Sequence, residues 1–141
     1  MYLASPLTNQ TVRVRRQNKR VRQAVIEEFQ RCRNAFFEVY DPADYTQPGS
    51  SHSPKEVYRI DYRNTITSDL IFLHINSPSI GLGIEAQLAC DAGIPRIIAY
   101  PKSQPVSRML MGIPALDLGF IDYSDIRDLH SQLSSILPQI A

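Results

Sequence analysis

Apolar residues recur along this chain in two alternating rhythms. A short run at residues 1–4 gives way to Ser5, Pro6, Thr8 and Asn9, the signature of a strand ending in a loop with helix-capping residues. Between residues 10 and 32, Val14, Val21, Val25, Phe29 and Cys32 recur at helical spacings and predict an amphipathic helix. Residues 35–40 (AFFEVY) are aromatic and β-branched and run into Asp41, Pro42 and Asp44, which predicts a second strand and its exit turn. Residues 46–54 (TQPGSSHSP) offer nothing to bury and read as a mobile loop. Pro54 suits a first helical position, so residues 55–66 predict a helix with Val57, Ile60 and Ile66 facing inward.

The run DLIFLHIN at 69–76 is almost continuously apolar, the pattern of a central strand covered on both faces. A glycine-bearing turn at 77–83 should lead to a helix at 84–92, closed by Gly93 and Pro95. A strand at 96–100, a looser helix at 106–111, a strand at 118–121 and a helix at 124–137 complete five β/α repeats. Such alternation implies right-handed crossovers within one domain spanning 1–141. The expected architecture is a flavodoxin/Rossmann-like parallel sheet of five strands in order 2-1-3-4-5, with helices on both faces. A ligand would then lie beyond the carboxyl ends of strands one and three, between the loops 5–9 and 77–83.

Composition changes little in this picture. A chain of 141 residues buries roughly two thirds of its unfolded surface, so the core needs no metal or disulfide. Cys32 and Cys90 have no ligand-like spacing and read as reduced, buried thiols of a cytoplasmic protein. No apolar run reaches the ~18 residues of a membrane span, and no signal-peptide core follows the basic stretch. The formal charge is +1, yet six Lys or Arg residues crowd between Arg13 and Arg22. Their ordinary reading is a solvated helix face; the alternatives are a phosphate-attracting wall or a nucleic-acid patch. The cluster has no interleaved aromatics, which argues against single-strand binding.

Glu85 follows Gly81 and Gly83 and is expected in the first turn of its helix, ionised at neutral pH beside free backbone N–H groups. A carboxylate so placed can attack an anomeric carbon, although first-turn glutamates commonly serve only the helix. Asp61, between Tyr58 and Tyr62, would have to face the same crevice to act as proton donor. Tyr2 could hydrogen-bond a carboxylate or simply pack. Ser79 could hold an anion with nearby amides. Gly-x-Gly without a third glycine, and no P-loop, gives no support for a nicotinamide cofactor or ATP. His74 reads as a core histidine, His52 and His130 lack ligand-like partners, and no cofactor or metal site is expected.

Taken together, Tyr2-Leu3-Ala4-Ser5-Pro6, Asp61, Ser68-Asp69-Leu70-Ile71, the string Pro78-Ser79-Ile80-Gly81-Leu82-Gly83-Ile84-Glu85 and Gly93-Ile94-Pro95-Arg96-Ile97-Ile98 resemble the nucleoside 2-deoxyribosyltransferase superfamily. Within it the 2'-deoxynucleoside 5'-phosphate N-hydrolases are most similar. The resemblance implies Glu85 as nucleophile, Asp61 assisting the leaving base and Tyr2 positioning the nucleophile. It also implies substrate binding by Ser5, Thr8, Asn9, Ser79, Gly81, Gly83 and Ser107, with Ser107 reaching across a homodimer interface. Where the N-hydrolases have a glycine- and arginine-containing phosphate loop, this chain has Leu7-Thr8-Asn9-Gln10, and Arg13, Arg15 or Arg16 would have to substitute. Asn76 stands where the transferases carry an aspartate, which favours hydrolysis over base exchange. The expected activity is cleavage of the N-glycosidic bond of a nucleotide or deoxynucleoside. The alternative is a nucleotide-sensing module that keeps the pocket but not turnover.

Overall fold

The computed structural model describes residues 1–8, 10–32 and 38–140. In chain order the elements are β1 (Tyr2–Ala4), α1 (Val12–Arg31), α2 (Pro42–Tyr45), α3 (Pro54–Ile66), β2 (Ile71–His74), α4 (Ile80–Asp91), β3 (Arg96–Pro101), α5 (Arg108–Met111), β4 (Asp117–Tyr123) and α6 (Ile126–Ile140).

Among the described residues the sheet has four strands, all parallel, in order β1-β2-β3-β4. This corrects the expected five strands in order 2-1-3-4-5. Of the second strand expected at 35–40, Ala35, Phe36 and Phe37 lie outside the described residues. The remainder makes one isolated parallel bridge, Tyr40 to Tyr2, through Leu3 N–H to Tyr40 O and Tyr40 N–H to Met1 O at 2.9 and 3.0 Å. Extension stops there for a local reason. The Asp41 carboxylate accepts the Ala43 N–H, and Pro42, which has no N–H to give a ladder, starts α2 instead.

Side chains alternate across each strand and build two apolar layers. Leu3, Phe72, Ile97 and Ile121 meet α1 and α6 through Val21, Val25, Phe29, Leu129 and Leu133. Tyr2, Ala4, Ile71, Leu73 and Ile98 meet α4 and α5 through Leu82, Ala86, Ala89 and Leu110. A Cβ on Gly119 would come within 2.9 Å of Ile136 Cδ1, so the glycine lets α6 lie close on β4. Helix α3 packs outside α4 and buries only Thr65 fully; Val57, Ile60 and Ile66, expected inward, are half-buried.

Caps fix the helix ends near the crevice. Ser53 and Glu56 form a reciprocal capping box at α3, with Pro54 in its first turn. Helix α4 begins at Ile80, not after Gly83, because Ser79 Oγ accepts the Leu82 N–H at 3.3 Å and draws both glycines into the helix. It ends in a Schellman motif: Ile94 N–H donates to Ala89 O and Gly93 N–H to Cys90 O, with Gly93 at φ +71°. Arg96, almost fully buried, pairs with Asp117 and donates to Leu110 O and Ile113 O at 3.2 and 3.1 Å, tying α5 to the sheet. Cys32 and Cys90 are free and partly exposed, not buried as expected. Among the described residues no helix is long and apolar enough to cross a membrane.

Candidate active site

A cavity of about 480 Å³ opens beyond the carboxyl ends of β1 and β2, bounded by the loop after β1, residues 46–54, α3 and the start of α4. Ser5, Thr8, Asp61, Ser79, Gly81 and Glu85 all line it, along with Thr46 and His52. Tyr2 lies beneath, fully buried, and its phenol donates a 2.7 Å hydrogen bond to Glu85 Oε1. The Tyr2 ring stacks on Tyr40 at 5.5 Å, and Tyr40 on Tyr45 at 5.0 Å, so the phenol is held from behind.

The charge state of Glu85 differs from the expectation. With α4 starting at Ile80, Glu85 is the sixth helical residue, beyond the free amides of the first turn. Burial dominates instead and pushes its carboxyl up to about 7; the Tyr2 hydrogen bond opposes this and the nearby Asp61 charge adds to it. Glu85 is therefore about half ionised at neutral pH. Burial likewise raises Asp61, partly offset by a hydrogen bond from Thr46. The phenol of Tyr2 is held far above its ordinary range by burial and the two carboxylates, so it remains a donor.

Thr46 is the residue that sequence reasoning missed. It is buried, and its Oγ1 lies 2.9 and 3.1 Å from the two Asp61 carboxylate oxygens and 3.3 Å from Pro42 O. One hydroxyl proton cannot serve all three acceptors at once. It can donate to ionised Asp61, or turn to Pro42 O and accept from protonated Asp61, so either form of the acid finds a partner. The signal was confined to Thr46 capping α2, four residues after Pro42.

Other expected contributors lie elsewhere. Asn9 is outside the described residues. Gly83 is not on the cavity wall, and exposed Ser107 caps α5, accepting the Leu110 N–H. Asn76 donates to Asn18 of α1 and does not line the cavity. Arg13 and Arg16, the suggested phosphate ligands, open into a different cavity that shares no lining residue with this one. His74 is a fully buried core histidine bonded to the Tyr123 hydroxyl at 2.8 Å, and burial lowers its pKa to about 3. Among the described residues no group of three or more His, Cys, Asp or Glu could hold a metal ion.

No family model matches the chain. It is 30% identical over 88 residues to a Thermofilum pendens protein described as "Putative 2'-deoxynucleoside 5'-phosphate N-hydrolase 1"; the match spans 61% of this chain and 62% of that protein, so the chain spans about three fifths of the relative's length. Its fold is similar to that of a Clostridium botulinum CMP N-glycosidase, with TM-score 0.69 and 19% identity over 95% of this chain and 97% of the other. A 2-deoxyribosyltransferase from Bacillus psychrosaccharolyticus gives TM-score 0.61 and 22% identity over 92% and 88%. A conserved protein from Enterococcus faecalis V583 gives 0.55 and 20% over 95% and 96%. The fold of this chain is therefore similar to that of these three structures.

Proposed function

We propose that this chain cleaves the N-glycosidic bond of a nucleoside or nucleotide by a two-step retaining mechanism in the cavity described. The observation that carries the reading is that Glu85, Asp61 and Thr46 line one cavity, with the Tyr2 phenol bonded to Glu85 from below. The names of the relatives fit the same chemistry.

Ionised Glu85 attacks the anomeric carbon as the bond from that carbon to the base nitrogen breaks. Protonated Asp61 gives its proton to the departing base, and Thr46 then donates to the new carboxylate. In the second step water attacks the anomeric carbon, Asp61 takes its proton, and the ester bond breaks to return Glu85 as carboxylate. A second base in place of water would give exchange. Burial raises both carboxyls, and each has one hydrogen-bond donor opposing it: Tyr2 at Glu85 and Thr46 at Asp61. Tyr58 and Tyr62, on the cavity wall and part-exposed, offer ring faces for the base. Ser5, Thr8 and Ser79 are the polar groups available to the sugar and its substituents.

The reading includes a homodimer in which Ser107 of one copy completes the site of the other. Ile80 and Met109, 87% and 88% exposed, stand with Ile84 on the α4 and α5 surfaces that a second copy would cover. The test is incubation with deoxynucleosides, deoxynucleotides and ribonucleotides, assaying free base, with Glu85→Ala as control. Release abolished by the substitution supports the mechanism. Release that survives it removes Glu85 as nucleophile, and tight binding without release would make the protein a nucleotide sensor.

A further inference from the structure

A second cavity, about 670 Å³, lies apart from the one that holds Glu85 and Asp61. It lies between the first half of α1 and the ends of β3 and β4, and Arg13, Arg16 and Arg20 line one wall. These positions are three and seven residues apart, so they share one helix face and spread over about 10 Å along its axis.

Nothing in the described protein neutralises them. Of the six cations between Arg13 and Arg22, Arg22 alone is ion-paired among the described residues, to Asp41. Removing those six from the fifteen Lys and Arg leaves nine against fourteen acids, so the rest of the chain is net negative. The placement is also unfavourable for the helix. Its first turn contains no acid, the positive end of the dipole coincides with Arg13 and Arg15, and Arg16 and Arg20 repel each other one turn apart. The one acid at the cavity, Asp125, has its Oδ1 occupied by the Arg127 and Asp128 N–H groups at the start of α6. Opposite the guanidiniums are the hydroxyl residues Ser103 and Ser124, and Pro101 and Ile126 add an apolar wall.

We infer that this cavity is a second ligand site, separate from the carboxylate cavity, for a compact oligophosphate such as a nucleoside triphosphate. Guanidiniums in a row match successive phosphates by paired, charge-assisted hydrogen bonds, and the apolar wall accommodates a nucleoside. A nucleic-acid strand fits less well because the site has no open aromatic platform. Its one aromatic, Tyr123, is buried and bonded to His74.

The test is calorimetric titration of ATP and of inorganic tripolyphosphate into the full chain carrying Glu85→Gln, which separates this site from turnover at the other. Both probes should bind, ATP more tightly, and Arg13→Gln, Arg16→Gln and Arg20→Gln should each weaken binding roughly tenfold, the loss of one charge-assisted contact. The substitutions relieve like-charge repulsion, and circular dichroism should show the fold unchanged. Failure of both probes to bind, or binding indifferent to the three arginines, overturns the inference. So does a 20-residue DNA strand that binds with steep salt dependence while both probes fail, since that would make the arginines a nucleic-acid patch. None of these results depends on whether Glu85 is a nucleophile.

Discussion

Replacing Tyr2 with phenylalanine removes one hydrogen bond and almost no volume, which makes it a direct probe of how Glu85 is charged. The Tyr2 phenol donates to Glu85 at 2.7 Å and is what holds that carboxyl down against burial, at about 7. A hydrogen bond to a charged group contributes about 1.5–3 kcal/mol, and about 1.4 kcal/mol corresponds to one pH unit. Tyr2→Phe should therefore raise the Glu85 midpoint by roughly one to two units, to about 8–9. The sign follows from the bond favouring the ionised form: without it the proton stays on longer and Glu85 is mostly neutral at pH 7. At pH 7 the ionised fraction falls from about half to roughly 1–10%, so kcat/KM for base release should drop about 5- to 50-fold and recover towards pH 9.5. The assay is kcat/KM for base release from pH 5.5 to 10, with wild-type and Tyr2→Phe protein in parallel. An acid limb that does not move, or that moves down, refutes the electrostatic role. A loss of equal size at every pH would mean that Tyr2 orients Glu85 without setting its charge.

Two further expectations concern the same carboxylates. Thr46→Val removes the donor that offsets burial at Asp61, so the Asp61 carboxyl should rise further and the pH profile of base release should shift. Thr46→Ser should restore it, and a profile identical in all three proteins would show that the hydroxyl is only a helix cap. Glu85→Gln should change the pH dependence of stability. A carboxyl lifted from 4.5 to about 7 on folding binds its proton more tightly in the folded state, so the stability it contributes is complete below 4.5 and is lost as pH rises through about 7. The full span is on the order of 3 kcal/mol. The variant lacks this decline, so its melting temperature relative to wild type should be higher at pH 8 than at pH 5; an offset equal at both values would mean that Glu85 is not protonated on folding.

The elements were legible wherever periodicity and punctuation agreed. The stripe of Val21, Val25 and Phe29 and the apolar run around Phe72 both face the core they foretold. The described part of the segment, residues 38–40, makes a single bridge and no strand, because aromatic and β-branched side chains signal packing as strongly as pairing. Tyr40 uses its ring between Tyr2 and Tyr45, and Asp41 and Pro42 divert the backbone into α2. The glycines of α4 misled in the opposite sense. Gly81 and Gly83 suggested a turn, but both are helical, because Ser79 caps the helix ahead of them and Leu82 between them is buried.

The candidate site shows a sharper limit. Residue type and motif brought Glu85, Asp61 and Tyr2 to attention, but the protonation of a carboxylate is a property of everything around it. Moving the start of α4 from beyond Gly83 to Ile80 takes Glu85 out of reach of the free helix amides and leaves it governed by burial. The same reasoning hid Thr46, which lies in a segment that looked like exposed loop and meets Asp61 fifteen residues away only once α2 and α3 are in place. A Glu85 carboxyl poised near neutrality and an Asp61 carboxyl with a hydroxyl partner in either state are consequences of packing. A substitution in that segment that spares Glu85, Asp61 and Tyr2 but displaces Thr46 should therefore alter the pH profile as surely as one made at the carboxylates themselves.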